Sequence, residues 1–187
     1  GKEAYNNDNI FYLILGGVFI VIAFYFTGEL VFFPLIKDAG FPEYYFGYLI
    51  SVCFSMGLLA PLISKKLIKR IGGSKKYLIG LLVLLMISSA LILLMNNLYG
   101  YVALFIIGYF LIIFYIPVQF SFFQSHLSSK KRATIDSIRN MAYSLVAVIV
   151  APLVGYTADK LGPKYAIFIG AFFYIPAIIM YWKVKNK

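Results

Sequence analysis

The sequence holds one cysteine, Cys53, one histidine, His126, and one tryptophan, Trp182. A single cysteine excludes an internal disulfide and a cysteine-based metal site. A single histidine with no second ligand at suitable spacing gives no metal centre. No nucleophile stands near a base at a usable spacing, so the chain does not read as an enzyme, and no cofactor is expected. Acidic residues are also scarce, seven against seventeen Lys and Arg, for a formal charge of +10. That excess would suit a nucleic-acid partner only if the charge lay on a folded aqueous surface, and no such partner is expected here. In this chain it gathers between long uncharged stretches instead.

Those stretches dominate the composition. Hydrophobic residues make up 62% and charged residues 13%, about half the usual charged share of a globular domain. With a mean hydropathy of +0.88, the chain reads as an all-α, multi-pass protein of the cell membrane, with the lipid bilayer as its solvent. Six spans are predicted, at about 10–34, 45–63, 77–95, 98–123, 140–158 and 165–182, each long enough to cross a bilayer core as a helix. Pro117 is expected to break the fourth.

The segment 64–76, SKKLIKRIGGSKK, sets the orientation. It carries Lys65, Lys66, Lys69, Arg70, Lys75 and Lys76 between two uncharged spans and reads as a basic cytoplasmic loop. Parity then places both termini inside, together with the second basic loop at Lys130, Lys131 and Arg132. Fourteen of the seventeen cationic residues fall on that side, leaving Lys37, Lys160 and Lys164 outside. Trp182, Tyr77, Tyr99 and Tyr165 lie at span ends and read as headgroup anchors.

An internal echo links Arg70, Ile71, Gly72, Lys76, Tyr77, Ile79 and Gly80 to Lys160, Leu161, Gly162, Lys164, Tyr165, Ile169 and Gly170. It reads as two inverted three-helix repeats, a transporter device; short loops that collect Gly and Lys would give a similar pattern.

Gly155, Asp159, Lys160, Gly162 and Lys164 match a G-x-x-x-D-[RK]-x-G-x-[RK] loop signature, and Arg132, Ala133, Thr134 and Ser137 precede Pro152 and Gly155. On these residues the whole chain resembles the C-terminal six-helix half of the major facilitator superfamily, in its drug-efflux-like branch. The loop at 64–76 departs from the pattern, since Ala60 or Pro61 stands for a glycine and Ser64 or Lys65 for an acidic residue, so the acidic latch of that loop is not carried over. The resemblance implies that the first and fourth spans line a cavity, the second and fifth border a missing N-terminal half, and the third and sixth support from outside. It further implies a secondary transporter working by alternating access.

Substrate and proton candidates are Glu29, Tyr25, Tyr115 and Gln119. On the fourth span Gly108, Ile112, Tyr115, Gln119 and Phe122 share one helical stripe, with Gln119 about 31 Å along from Leu98. Interfacial solvation of Gln119 reads equally well. Glu29 is the one acid inside an apolar span, about 28 Å from Ile10. It reads either as a carboxylate reaching headgroup water or as a group for which proton and cationic cargo compete among Tyr25, Phe32 and Phe33. Asp136 and Arg139 lie one turn apart and read as a local pair or as part of an inner gate. The aromatic-rich spans favour proton-coupled efflux of a hydrophobic or cationic small molecule. Uptake of a sugar or organic anion, and a membrane assembly module that transports nothing, are the alternatives.

Overall fold

The computed structural model of the chain describes residues 2–129 and 132–185, with side chains from Asp8 onward. Lys130, Lys131 and Lys187 of the expected basic segments lie outside the described residues, as does the side chain of Lys2. Among the described residues all regular structure is helical: α1 (Lys2–Thr27), α2 (Glu29–Asp38), α3 (Phe46–Ser55), α4 (Ala60–Ile71), α5 (Ser74–Ala90), α6 (Leu98–Ser125), α7 (Arg132–Leu161) and α8 (Pro163–Lys183), with short 3₁₀ turns beside α3 and α5. Among the described residues five segments are long and apolar enough to cross a membrane, and α3 with α4 makes a sixth if that bent pair is one span. The expected all-α membrane class is what the chain adopts.

Several local features differ from the sequence expectation. The first span is interrupted at Gly28, whose extended backbone separates α1 from α2. A side chain there would meet the Phe24 carbonyl oxygen at 2.6 Å, so glycine permits the break. Thr27 adds to it by donating its hydroxyl to the Ala23 carbonyl at 2.9 Å, a back-bond that bends helices. Pro117, by contrast, does not break the fourth span. It sits inside the single helix α6, where neighbouring groups in a bundle tolerate the one lost hydrogen bond.

The basic stretch 64–76 is not a loop either. Lys and Arg are good helix formers and Pro61 sits in the first turn, so α4 runs on to Ile71. The connection is only Gly72 and Gly73, both at positive φ (87° and 131°), a region that glycine enters without strain. Tyr77 is not a headgroup anchor. It is 3% exposed and shares a 2.9 Å hydrogen bond with the buried Ser64 hydroxyl, bolting α5 to α4. Tyr99, Tyr165 and Trp182 are exposed.

Helix α8 is the hub of the bundle and packs chiefly on α1 and α5. Its buried stripe, Ala166, Ile167, Gly170, Ala171, Tyr174, Ala177 and Tyr181, is mostly small residues, which let helix backbones approach closely where lipid supplies no hydrophobic drive. Gly170 meets α1 at Phe26 and Thr27, and Gly16 of α1 meets Tyr181. Helix α7 contrasts with α8. Only Arg139, Val150 and Val154 of its thirty residues are buried, and Met141, Leu145, Val148, Ile149, Leu153 and Tyr156 stand exposed along it.

Two Lys side chains tie loops and termini together. Lys75 donates to the Trp182 and Val184 carbonyls (2.7 and 2.6 Å), satisfying oxygens freed at the end of α8. Lys164 donates to the Met95 carbonyl and to Asn96 Oδ1 (2.5 and 2.9 Å). The hairpin between α7 and α8 is thereby joined to the one between α5 and α6.

Candidate functional site

A cleft of about 380 Å³ lies between α1, α6 and α7. Gly17, Phe24 and Tyr25 line it from α1, Tyr115 and Gln119 from α6, and Tyr143 and Ser144 from α7. Three expected site residues, Tyr25, Tyr115 and Gln119, therefore share one wall system. The i, i+3, i+4 stripe on α6 brings Ile112, Tyr115, Ile116 and Gln119 to it. Tyr115 is not free, however. Its buried hydroxyl donates to Tyr181 Oη at 2.6 Å, so α8 fixes the ring as part of the wall. The cleft carries no carboxylate, and its polar groups are phenols, an amide and one serine hydroxyl.

Glu29 is not in the cleft. It begins α2, directly after the break, where the amide end of the helix favours negative charge. Tyr109 of α6 donates to Glu29 Oε1 at 2.6 Å, a short bond of the charge-assisted kind. Beside it lies a small crevice of about 20 Å³ lined by Gly28, Phe32, Gly108 and Tyr109, room for about one water. Phe24 and Ile112 border both the crevice and the cleft. The aromatic surround expected for Glu29 is thus only partly present: Phe32 lines the crevice, while Phe33 stacks on Phe46 at 4.3 Å and Tyr25 faces the cleft.

At the other end of the cleft, Tyr143 reaches across to α1. Its hydroxyl packs directly against Gly17, in the place a Cβ would occupy. One turn earlier on α7, Arg139 is buried, with its guanidinium carbon 4.5 Å from the Phe123 ring centroid and 5.9 Å from that of Tyr143. Arg139 Nη2 lies 3.2 Å from Asp136 Oδ1, close enough for an ion pair but without the alignment of a hydrogen bond. Gln124 of α6 donates to Asp136 Oδ2. Arg139 Nε and Nη1 and the Tyr143 hydroxyl are buried without a hydrogen-bond partner among the described residues.

The signature residues Gly155, Asp159, Lys160, Gly162 and Lys164 sit apart, at the far end of α7 and in its hairpin with α8. Gly162 has φ of 91°. Asp159 and Lys160 are exposed, Lys160 lies 5.9 Å from the Tyr156 ring centroid, and Lys164 makes the bonds to Met95 and Asn96 described above. Sequence reasoning missed Tyr109, Tyr143 and Gly17. Tyr109 follows Gly108 and precedes Ile112 by three residues, so widening the recognised stripe by one position would have found it. Tyr143 follows Arg139 by four, one turn along the same face of α7.

No curated protein and no solved structure matches this chain. The family model described as Major Facilitator Superfamily matches residues 2–150, a stretch that includes every residue of the cleft, Glu29 with Tyr109, and the Asp136–Arg139 pair. This multi-pass membrane chain belongs to the Major Facilitator Superfamily, a family of membrane transporters.

Proposed function

We propose that the chain is the C-terminal six-helix half of a secondary transporter that expels a hydrophobic or lipophilic cationic small molecule by alternating access, driven by protons. The observation that carries the reading is the aromatic cleft between α1, α6 and α7, with a carboxylate held by Tyr109 next to it at the break in the first span. Phenol and phenylalanine faces accept apolar cargo and attract cations without a paired acid. The exposed apolar length of α7 supports a second, N-terminal half packed along it, and the pair of half-buried Asp136 and buried Arg139 supports a gate where that half would meet the inner end. In proteoliposomes holding the full-length protein, an imposed proton gradient should drive a fluorescent lipophilic cation against its own gradient. Transport that ignores the proton gradient would defeat the coupling.

One observation favours a second reading. Among the described residues Arg139 keeps two buried nitrogens, Nε and Nη1, without partners one turn from the cleft residue Tyr143, which suits an organic anion with an apolar body. Competition separates the two: an apolar cation should block transport in the first reading, and an apolar carboxylate in the second.

The proposed orientation keeps both termini in the cytoplasm, on the positive-inside count. Cys53 is buried, so it gives little background to thiol reagents. Ser74→Cys should react with an impermeant maleimide only from the cytoplasmic face, and Asp38→Cys only from outside. Labelling of Ser74→Cys from outside would invert the arrangement.

A further inference from the structure

Helix α4 is sharply two-sided. Ala60 and Ser64 are buried against the bundle, and Leu67 and Ile68 pack partly against the same core. Lys65, Lys66, Lys69 and Arg70 are exposed on the opposite face, and Leu62, 66% exposed, stands one turn before Lys65 and Lys66. The apolar exposure continues backward through Leu59 and Leu58 to Val52 of α3. At Leu59 the chain bends by 55°, so the basic face departs from the line of the segment before it.

Among the described residues nothing neutralises this face. The sequence contains no acidic residue between Glu43 and Asp136, and among the described residues the ion pairs are Lys37–Glu43 and Asp136–Arg139. Lys65 stacks over Lys69 and Lys66 over Arg70 at one-turn spacing, an arrangement of like charges that weakens a helix on its own. An amphipathic helix with cations on its polar side, beside exposed apolar residues, carries the two features that a membrane surface selects.

We propose that this face binds an anionic phospholipid, with the headgroup phosphate among Lys65, Lys66, Lys69 and Arg70 and the acyl chains along Leu58, Leu59 and Leu62. The order of the surface matches the order of the lipid, apolar first and cationic after, on one continuous exposed strip. A soluble anion would use only the cationic half of it.

The test uses the full-length protein in nanodiscs, with fluorescent phosphatidylglycerol and phosphatidylcholine as probes. The wild type should prefer phosphatidylglycerol. Each Lys or Arg near an anionic surface contributes about fivefold, so replacing all four by Gln should reduce the preference by more than about tenfold. Replacing Lys65, Lys66 and Lys69 by Arg should retain it, which distinguishes lost charge from lost folding. Lys76→Gln with Lys183→Gln, two exposed lysines on α5 and α8, should also retain it. Soluble glycerol phosphate should leave the bound lipid in place. The proposal is overturned by an unchanged preference in the Gln variant, by displacement with glycerol phosphate, or by a Leu62→Cys cross-link that joins another part of the polypeptide instead of lipid.

Discussion

Glu29→Gln is expected to abolish proton-driven transport while the protein remains folded and inserted. The side chain keeps its shape and can still accept a hydrogen bond from Tyr109, now 2.6 Å from Oε1, so the contact between the first and fourth spans survives. What the amide cannot do is take up and release a proton. If the carboxylate couples proton entry to cargo release, driven transport should fall by about 100-fold or more, the scale of losing a positioned proton-transfer group. Exchange of cargo down its own gradient should continue. Tyr109→Phe should give a partial loss, because it frees the carboxylate without removing it. Unchanged driven flux in Glu29→Gln would leave Glu29 as a structural residue at the start of α2, where the helix amides alone account for a carboxylate.

The position of Glu29 shows what the sequence could and could not tell. That a lone acid in an apolar span matters is legible from its cost in a membrane. Its partner was not legible, because Tyr109 lies eighty residues away and only the packing of α2 on α6 brings them together. The cleft divides in the same way. Helical periodicity was enough to bring Tyr115 and Gln119 to one face of α6, whereas the hold of Tyr181 on Tyr115 depends on α8 lying behind it. The expected separation of spans from loops failed at 64–76 for a local reason: charge density signals which side of a membrane a segment occupies, not whether it is helical. Lys and Arg are at home in helices, so α4 continues through them to the glycine pair.

Gly170→Ala is expected to be a strongly disruptive single-methyl change in the bundle. A Cβ at Gly170 would lie 2.5 Å from Phe26 Cβ and 2.7 Å from Thr27 Cγ2, with the Ala23 carbonyl oxygen at 3.5 Å. The atom in the way is the root of a side chain on α1, so relief requires the two helices to separate along their principal contact. Overpacking of that kind costs about 1–3 kcal/mol, which for a chain of this size lowers the melting temperature by roughly 2–4 °C per kcal/mol. Gly170→Leu should prevent assembly. The matched control is Gly80→Ala in α5, where nothing lies within 4 Å of the added methyl and loss of glycine's backbone freedom should stabilise the helix by about 0.4–1 kcal/mol. The internal echo pairs Gly80 with Gly170 as equivalent, and by sequence they are. Their surroundings differ, one glycine facing open space and the other holding α1 against α8. Opposite signs for the two substitutions in thermal unfolding of the detergent-solubilised protein would confirm the close approach, and equal effects would mean that α1 and α8 do not meet at Gly170.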